Sequence, residues 1–408
     1  MADNPPIGEA HRFKVRTLDN ISVKGLRRLP REYYEIASDM TRPDAILLRS
    51  HRLQQDAVAD SVLAVARAGA GVNNIPVQAL STRGIAVFNT PGANANAVKE
   101  LVIAGLLMAA RNLSQAWQYV RELDGADPGL EGAVEAGKKR YVGFELPGRT
   151  LGVIGLGAIG VEVANTALAL GMQVVGYDPQ ISVHRAWQLS SGVQQALSLD
   201  DMFARSELIS VHVPLMETTR DLINAARLSL MPAGGVVVNL ARGEIVDSAA
   251  VLAALERGHL HALVTDFPCA LLKDHLRVIA LPHLGASTRE AEENCAAMAA
   301  DVLREFLEHG NIRNSVNFPE ARLARNGRCR LTVANINVPN MVGQISTALA
   351  AAGINIADLL NQSRGELAYT IVDLDAPLPA ETLRQIRAIP GVLSARMIPG
   401  TNPAGDAP

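Results

Sequence analysis

The sequence predicts an α/β protein: two doubly wound parallel-sheet domains, then a small α+β module. Three observations carry that expectation. Short apolar runs alternate with helical patterns from Phe13 to about Asn89 and again from Thr150 to His283, the rhythm of β-α-β units. A glycine-rich turn at 152–160 joins a strand to a helix. From Arg330 the order changes to strand, helix, strand, strand, helix, strand. A chain of 408 residues has room for two or three such domains at roughly 100–200 residues each.

Composition narrows the classes. With 48% hydrophobic and 19% charged residues the chain is not a disordered one. A net charge of −3 is no nucleic-acid footprint, and 4% aromatics argue against a base-stacking platform. Cys269, Cys295 and Cys329 are odd in number and far apart, which argues against a disulfide framework or a zinc site and for a reducing cytoplasm. No metal is expected. The N-terminus lacks the apolar run of a signal peptide. LVIAGLLMAA at 101–110 is too short for a membrane span of ~20 residues and reads as a buried helix.

In chain order, the first ten residues read as loose. FKVRTL, AILLRS, VLAVARAGAG and IAVFNT are the strand candidates of the first domain. Pro91 and Gly92 close a loop. Asn94 or Asn96 can cap the next helix, which is expected to be continuous from Ala97 to about Glu122. Asp124–Gly148 reads as a loop excursion. TLGVIGL, MQVVGYD, LISVHVPL, GVVVNLA, ALVTDF and RVIALPH are the second set of strands. After His283 one long helix is expected, capped by Thr288 and ended by Gly310. Glu320–Arg328 reads as a polar linker, Arg330–Met397 as a ferredoxin-like unit, and PGTNPAGDAP as a disordered tail.

Residues 152–160, GVIGLGAIG, contain G-x-G-x-x-G at Gly155, Gly157 and Gly160. The first glycine permits a tight turn, the second lets backbone approach a pyrophosphate, and the third lets the helix pack close to the sheet. The helix N-terminus then offers free N–H groups to phosphate. Asp178 ends the next strand, 18 residues beyond Gly160. A carboxylate there accepts from ribose hydroxyls and repels a 2′-phosphate, which favours NAD over NADP.

Arg242 (NLARGEIVD) and His283 (LPHLGAST) also fall at strand ends, where doubly wound sheets bind ligands. Removing hydride from C2 of a 2-hydroxy acid needs a base for the hydroxyl proton, a task suited to imidazole. The substrate carboxylate suits a guanidinium clamp. The other eight histidines carry no such context.

NTPGANANAV, GVIGLGAIG, NLARGEIVD and LPHLGAST together resemble the signatures of the D-isomer-specific 2-hydroxyacid dehydrogenases, over about residues 13–319. The likeness is strongest to the members that oxidise 3-phosphoglycerate. It implies two Rossmann-like domains with a cleft between them: a substrate-binding domain at 1–98 and 284–319 and an NAD-binding domain at 99–283. It implies Arg242 on the substrate carboxylate, His283 as general acid/base, and Asp266 on the nicotinamide carboxamide. Cofactor contacts extend to Ala158, Ile159, Pro214, Leu240, Ala241 and Gly285. Arg49, Ser50, Arg67 and Gly71 match the substrate-domain loops, with Arg49 the best candidate for a substrate phosphate or carboxylate.

One position departs from the pattern. Ala270 stands where the family places a Glu beside the histidine. A carboxylate there would raise an imidazole's pKa and fix its tautomer. Glu244 or Asp274 are possible substitutes, and the missing acid keeps open an NAD-sensing protein with weak turnover. A dehydrogenase for another 2-hydroxy acid is the other alternative.

NVPNMVGQISTALAAAGINIADLLNQSRGELAYTIVDLD resembles an ACT regulatory domain, placed at 328–398. Such modules pair edge to edge and hold an amino acid at the seam, which implies Asn340 and Asn355 as effector contacts and serine as the effector. The family resemblance also implies a homodimer through the NAD domain, or a homotetramer through module pairing. KKRY at 138–141 is either a solvated loop or a segment reaching a neighbour's site.

Overall fold

Parallel strands covered by helices on both sides are apolar at every position rather than alternately, and the runs named above behave in that way. The computed structural model describes residues 12–326 and 328–400. The first ten residues and the tail beyond Gly400 lie outside the described residues. The chain divides into two compact units: one up to Ala93 and again from Glu292, the other Asn94–Ala291.

In the first unit, β1 (Phe13–Thr17), β2 (Tyr34–Ala37), β3 (Ala45–Leu48), β4 (Ala64–Arg67) and β5 (Ala86–Phe88) form a parallel sheet in the order β2-β1-β3-β4-β5. Ala45, Leu47, Ala64, Ala66 and Phe88 face Cys295, Ala299, Leu303 and Phe306 of the helix Arg289–His309. Ile46, Leu48, Val65 and Val87 face a second core with Leu53, Val58, Ile75 and Leu80. Thr288 Oγ1 accepts from the Ala291 N–H at the start of the long helix, and Gly310, at φ +70°, follows its end.

In the second unit, β6 (Thr150–Ile154), β7 (Gln173–Tyr177), β8 (Gln194–Gln195), β9 (Leu208–Val211), β10 (Gly235–Asn239), β11 (Leu260–Thr265) and β12 (Val278–Ala280) form a parallel sheet ordered β12-β11-β10-β9-β6-β7-β8. Strand order reverses between β9 and β6, the place where doubly wound sheets open a ligand crevice.

The C-terminal module belongs to the first unit. β13 (Cys329–Ile336), β14 (Ile356–Arg364), β15 (Leu367–Leu374) and β16 (Val392–Ile398) make an antiparallel sheet ordered β14-β15-β13-β16. Leu331, Val333 and Val372 pack under the helices Met341–Ala351 and Ala380–Arg387. The opposite face, through Ala334, Tyr369 and Ile371, joins the core around Phe306 and Phe318. Arg330 is fully buried there. Its guanidinium donates to both oxygens of Asp373 (2.6 and 2.9 Å) and to the carbonyls of His309, Leu323 and Ala324 (2.8, 2.9 and 3.0 Å).

Several expectations need correction. The helix from Ala97 is not continuous. It runs Ala95–Ala110, and a second helix covers Leu113–Glu122. The Ala110 carbonyl accepts from the Phe144 N–H (2.8 Å), Gly143 lies so close that a Cβ would meet that oxygen, and Asn112 takes φ +51°. A returning segment has therefore replaced a helical bond. Asn94 occupies the N-cap position without capping through its side chain, and Asn96 bonds Glu100 instead. The 124–148 excursion contains a helix, Leu130–Gly137, and a 3-10 turn, Lys138–Tyr141. Edge strands β2 and β8 had no expectation. The polar segment 320–328 is partly anchored, since Ala321 bridges to Ile312 and Arg330 takes two of its carbonyls.

Removing one partner from a buried ion pair strands the other charge. Arg330→Met is expected to lower unfolding free energy by about 3–5 kcal/mol in urea melts, and Arg330→Met/Asp373→Leu to recover part of the loss. Equal stability of Arg330→Met and wild type would contradict this role.

Candidate active site

The carboxyl ends of the second sheet gather the predicted cofactor residues. Gly155 follows β6 with φ +87°, a conformation only glycine adopts freely. A Cβ there would press on Val213 and the His212 carbonyl just beyond β9. A Cβ on Gly160 would sit 1.8 Å from the Gly155 carbonyl oxygen. Gly157 is different: its φ is −72° and a Cβ would meet nothing within 4 Å. The fold does not need glycine at Gly157, so the open space beside it suits an incoming ligand. Gly157 precedes the helix Ala158–Ala169 without a side-chain cap, and half-buried Ala158 and Ile159 form its first turn. Such a terminus attracts phosphate.

Asp178, just after β7, accepts from the Leu156 N–H through Oδ2 and from the Gln180 N–H through Oδ1, each at 2.9 Å. A carboxylate has about four acceptor positions, so two remain for hydroxyl donors. Pro214, beyond β9, is exposed. His212 beside it is pushed down to about 3 by burial and carries no charge near neutrality; its Nε2 lies 2.9 Å from Ser210 Oγ.

After β10, buried Asn239 braces the turn, with Oδ1 accepting from Ala241 N–H (3.1 Å) and Nδ2 donating to the Arg242 carbonyl (2.8 Å). Leu240 is buried and Ala241 half-buried. Arg242 Nη1 donates to the Ala241 carbonyl (2.5 Å). Among the described residues the rest of its guanidinium has no protein partner.

Asp266, just after β11, ties this end of the sheet together. Its carbonyl accepts from the His283 N–H (3.0 Å) and its Oδ2 from the Gly285 N–H (3.1 Å). Its Oδ1 is buried without a partner. Burial pushes the Asp266 carboxyl up, while the Gly285 N–H and the charges of His283 and Arg242 oppose that rise. Arg242, Asp266, His283 and Gly285 thus form one cluster. His283 itself is exposed, stands at φ +23°, and rests its ring on Phe267 with centroids 4.7 Å apart. A non-glycine residue at positive φ is strained and must be held by its surroundings. Ala270 is exposed. Asp274 pairs with Lys273, Glu244 is exposed, and among the described residues no carboxylate is ion-paired to His283.

In the first unit the loops after β1 and β3 meet where its strand order reverses. Asp19 Oδ2 accepts from the N–H groups of Arg49, Ser50 and His51 at 3.1, 2.9 and 2.8 Å. Burial works to raise the Asp19 carboxyl, but the three donors outweigh it and hold the group below its ordinary value. Arg67 Nε and Asn74 Nδ2 donate to the Arg49 carbonyl at 2.9 and 3.1 Å. Gly71 is half-buried in the following loop. Arg49 Nη1 pairs with Glu292 Oε1 at 2.7 Å. In the C-terminal module, exposed Asn340 (φ +64°) precedes the Met341–Ala351 helix, about 16 Å long at 1.5 Å per residue, and exposed Asn355 follows its other end. One chain does not bring them together.

Asp19, Asn239, Phe267 and Glu292 were not anticipated. Only Asn239, a polar residue ending an apolar strand, left a local trace.

Residues 103–285 match the family model of the D-isomer-specific 2-hydroxyacid dehydrogenase NAD-binding domain. The chain is 32% identical over 365 residues to D-3-phosphoglycerate dehydrogenase of Escherichia coli (strain K12), covering 86% of this chain and 85% of that one. The fold is similar to apo D-mandelate dehydrogenase of Rhodotorula graminis, with TM-score 0.66, 25% identity, and 77% of this chain and 100% of that one covered. It is also similar to NAD-bound 3-phosphoglycerate dehydrogenase of Entamoeba histolytica, with TM-score 0.60, 25% identity, and 75% and 99% covered.

The glycines separate folding from binding. Gly157→Ala is expected to melt like wild type and to weaken NADH binding tenfold or more, on the order of 1.4 kcal/mol, in a fluorescence titration. Gly160→Ala is expected to lose stability. Unchanged NADH affinity in Gly157→Ala would refute the assignment of that space.

Proposed function

For a chain that belongs to the D-isomer-specific 2-hydroxyacid dehydrogenase family, we propose NAD-dependent oxidation of D-3-phosphoglycerate to 3-phosphohydroxypyruvate, the opening step of serine biosynthesis. The protein is an NAD-dependent oxidoreductase acting on a small molecule. NAD, when bound, accepts the hydride from C2 of the substrate. Gly155, Gly157, Gly160 and the helix start at Ala158 and Ile159 would hold its pyrophosphate, Asp178 its ribose, and Pro214, Leu240, Ala241 and Gly285 would line its path.

The observation that carries the reading is the cluster around Asp266. Its unpartnered Oδ1 is an acceptor suited to a carboxamide N–H. Arg242 retains free donors for a carboxylate, in the paired geometry guanidinium favours. His283 takes the hydroxyl proton as hydride leaves and returns it in the reverse direction. With Ala270 in place of a carboxylate, the ring depends on its backbone bond to Asp266 and on Phe267 for its orientation. Arg49, with Ser50, Arg67 and Gly71 shaping its surroundings, takes the distal phosphate. Parallel assays of NADH formation test the substrate. 3-Phosphoglycerate is expected to exceed D-glycerate and D-lactate in kcat/KM by at least about a hundredfold, the equivalent of ~2.8 kcal/mol. Preference for either uncharged-tail acid would move the chain to another 2-hydroxy acid.

The C-terminal module supports feedback by serine, held between two copies so that Asn340 of one and Asn355 of another reach the same ligand. Exposed Trp117 and Val120 of the Leu113–Glu122 helix and Val142 of the excursion support a homodimer formed through this part of the second unit, and module pairing would extend it to a tetramer. The three free cysteines suit a cytoplasmic location. Among the described residues no helix is long and apolar enough to cross a membrane. Calorimetry is expected to show heat on adding serine to wild type and none with Asn340→Ala. Absence of heat with wild type would remove serine as effector.

A further inference from the structure

The loop carrying Arg49 is fixed at its backbone from both sides. Asp19 holds three consecutive N–H groups. Arg67 and Asn74 hold the Arg49 carbonyl, and Asn74 also donates to the His51 carbonyl (2.7 Å). These three N–H groups are therefore taken by a carboxylate and cannot serve a substrate anion. The loop can still offer side chains, and that of Arg49 is a cation held in an ion pair.

That side chain is already engaged by Glu292 at 2.7 Å, with 30% of the Arg49 side chain and 45% of the Glu292 side chain exposed. Glu292 lies in the first turn of the Arg289–His309 helix, where the helix dipole favours negative charge. The charges form a tight cluster: the Cys295 thiol one turn along, pushed up by burial, feels Arg49, Arg67 and Glu292 together. A half-exposed ion pair is a weak one, worth about 0–1 kcal/mol. Its partners can be exchanged for a better-charged ligand.

Resting on the reading that Arg49 meets the distal anion of the substrate, we propose that Glu292 is the internal counter-ion that anion displaces, a positioning residue that sets how strongly the enzyme prefers a 2-hydroxy acid with a second negative charge. In the free protein the carboxylate of Glu292 holds the guanidinium. When substrate arrives, the distal phosphate or carboxylate takes over the guanidinium and Glu292 turns to water. The price of that exchange falls only on substrates with a charged tail.

The test compares Glu292→Gln with wild type on a charged-tail and an uncharged-tail acid: 3-phosphoglycerate against D-glycerate, or D-2-hydroxyglutarate against D-2-hydroxyvalerate, whichever pair the enzyme turns over. The charged-to-uncharged ratio of kcat/KM is expected to rise about threefold, the scale of one exposed ion pair, through a lower KM for the charged acid. The gain should shrink as salt is raised, because an exposed pair is screened. An unchanged or lower ratio overturns the proposal. Arg49→Met separates the two levels. If it lowers the ratio while Glu292→Gln does not raise it, the exchange is wrong and the role of Arg49 stands. If Arg49→Met leaves the ratio intact, both are wrong. Glu292→Asp, which keeps the charge, guards against a folding effect and is expected to stay nearer wild type than Glu292→Gln.

Discussion

A single buried aspartate organises the loops at the carboxyl ends of the second sheet. Asp266 is placed by the last residues of β11, and its carbonyl and carboxylate reach the backbone of His283 and Gly285 on the next connection. Those two bonds tether the segment that keeps His283 at φ +23°. Burial disfavours the carboxylate, while the Gly285 N–H and then the charges of His283 and Arg242 favour it. The contacts that hold His283 are thus its backbone bond to the Asp266 carbonyl and the Phe267 ring, with exposed Ala270 offering no carboxylate.

The same device appears in the first unit. Asp19 has no signature in the sequence, yet it shapes the loop after β3 by gathering three N–H groups. Both units therefore use a short-chain acid at a strand end to freeze a neighbouring loop. The two sheets have different strand orders, and in each the carboxylate sits on the carboxyl side of the strands, where ligand-binding loops of this architecture are found.

Much of this was legible in the amino-acid order. Strand runs such as GVVVNLA, the glycine turn and the position of Asp178 depend on short-range chemistry, and the sequence shows such chemistry directly. What escaped was set by distant partners. The helical period through Ala97–Glu122 is intact as a pattern, but Phe144 takes the Ala110 carbonyl and ends the first helix. β2 contains only Tyr34–Ala37, includes the charged Glu35, and exists because it pairs with β1. Glu292 reads as one acid among several on a helix, and only folding puts it beside Arg49.

The Arg289–His309 helix is 21 residues long, a rod of about 30 Å at 1.5 Å per residue. Arg330 grips the His309 carbonyl at one end, and Arg396 of β16 takes the Phe306 and Leu307 carbonyls beside it. At the other end sits Glu292. One continuous helix thus joins the antiparallel sheet at its end to the Arg49 loop near its start, so a displacement at either place has a direct mechanical route to the other.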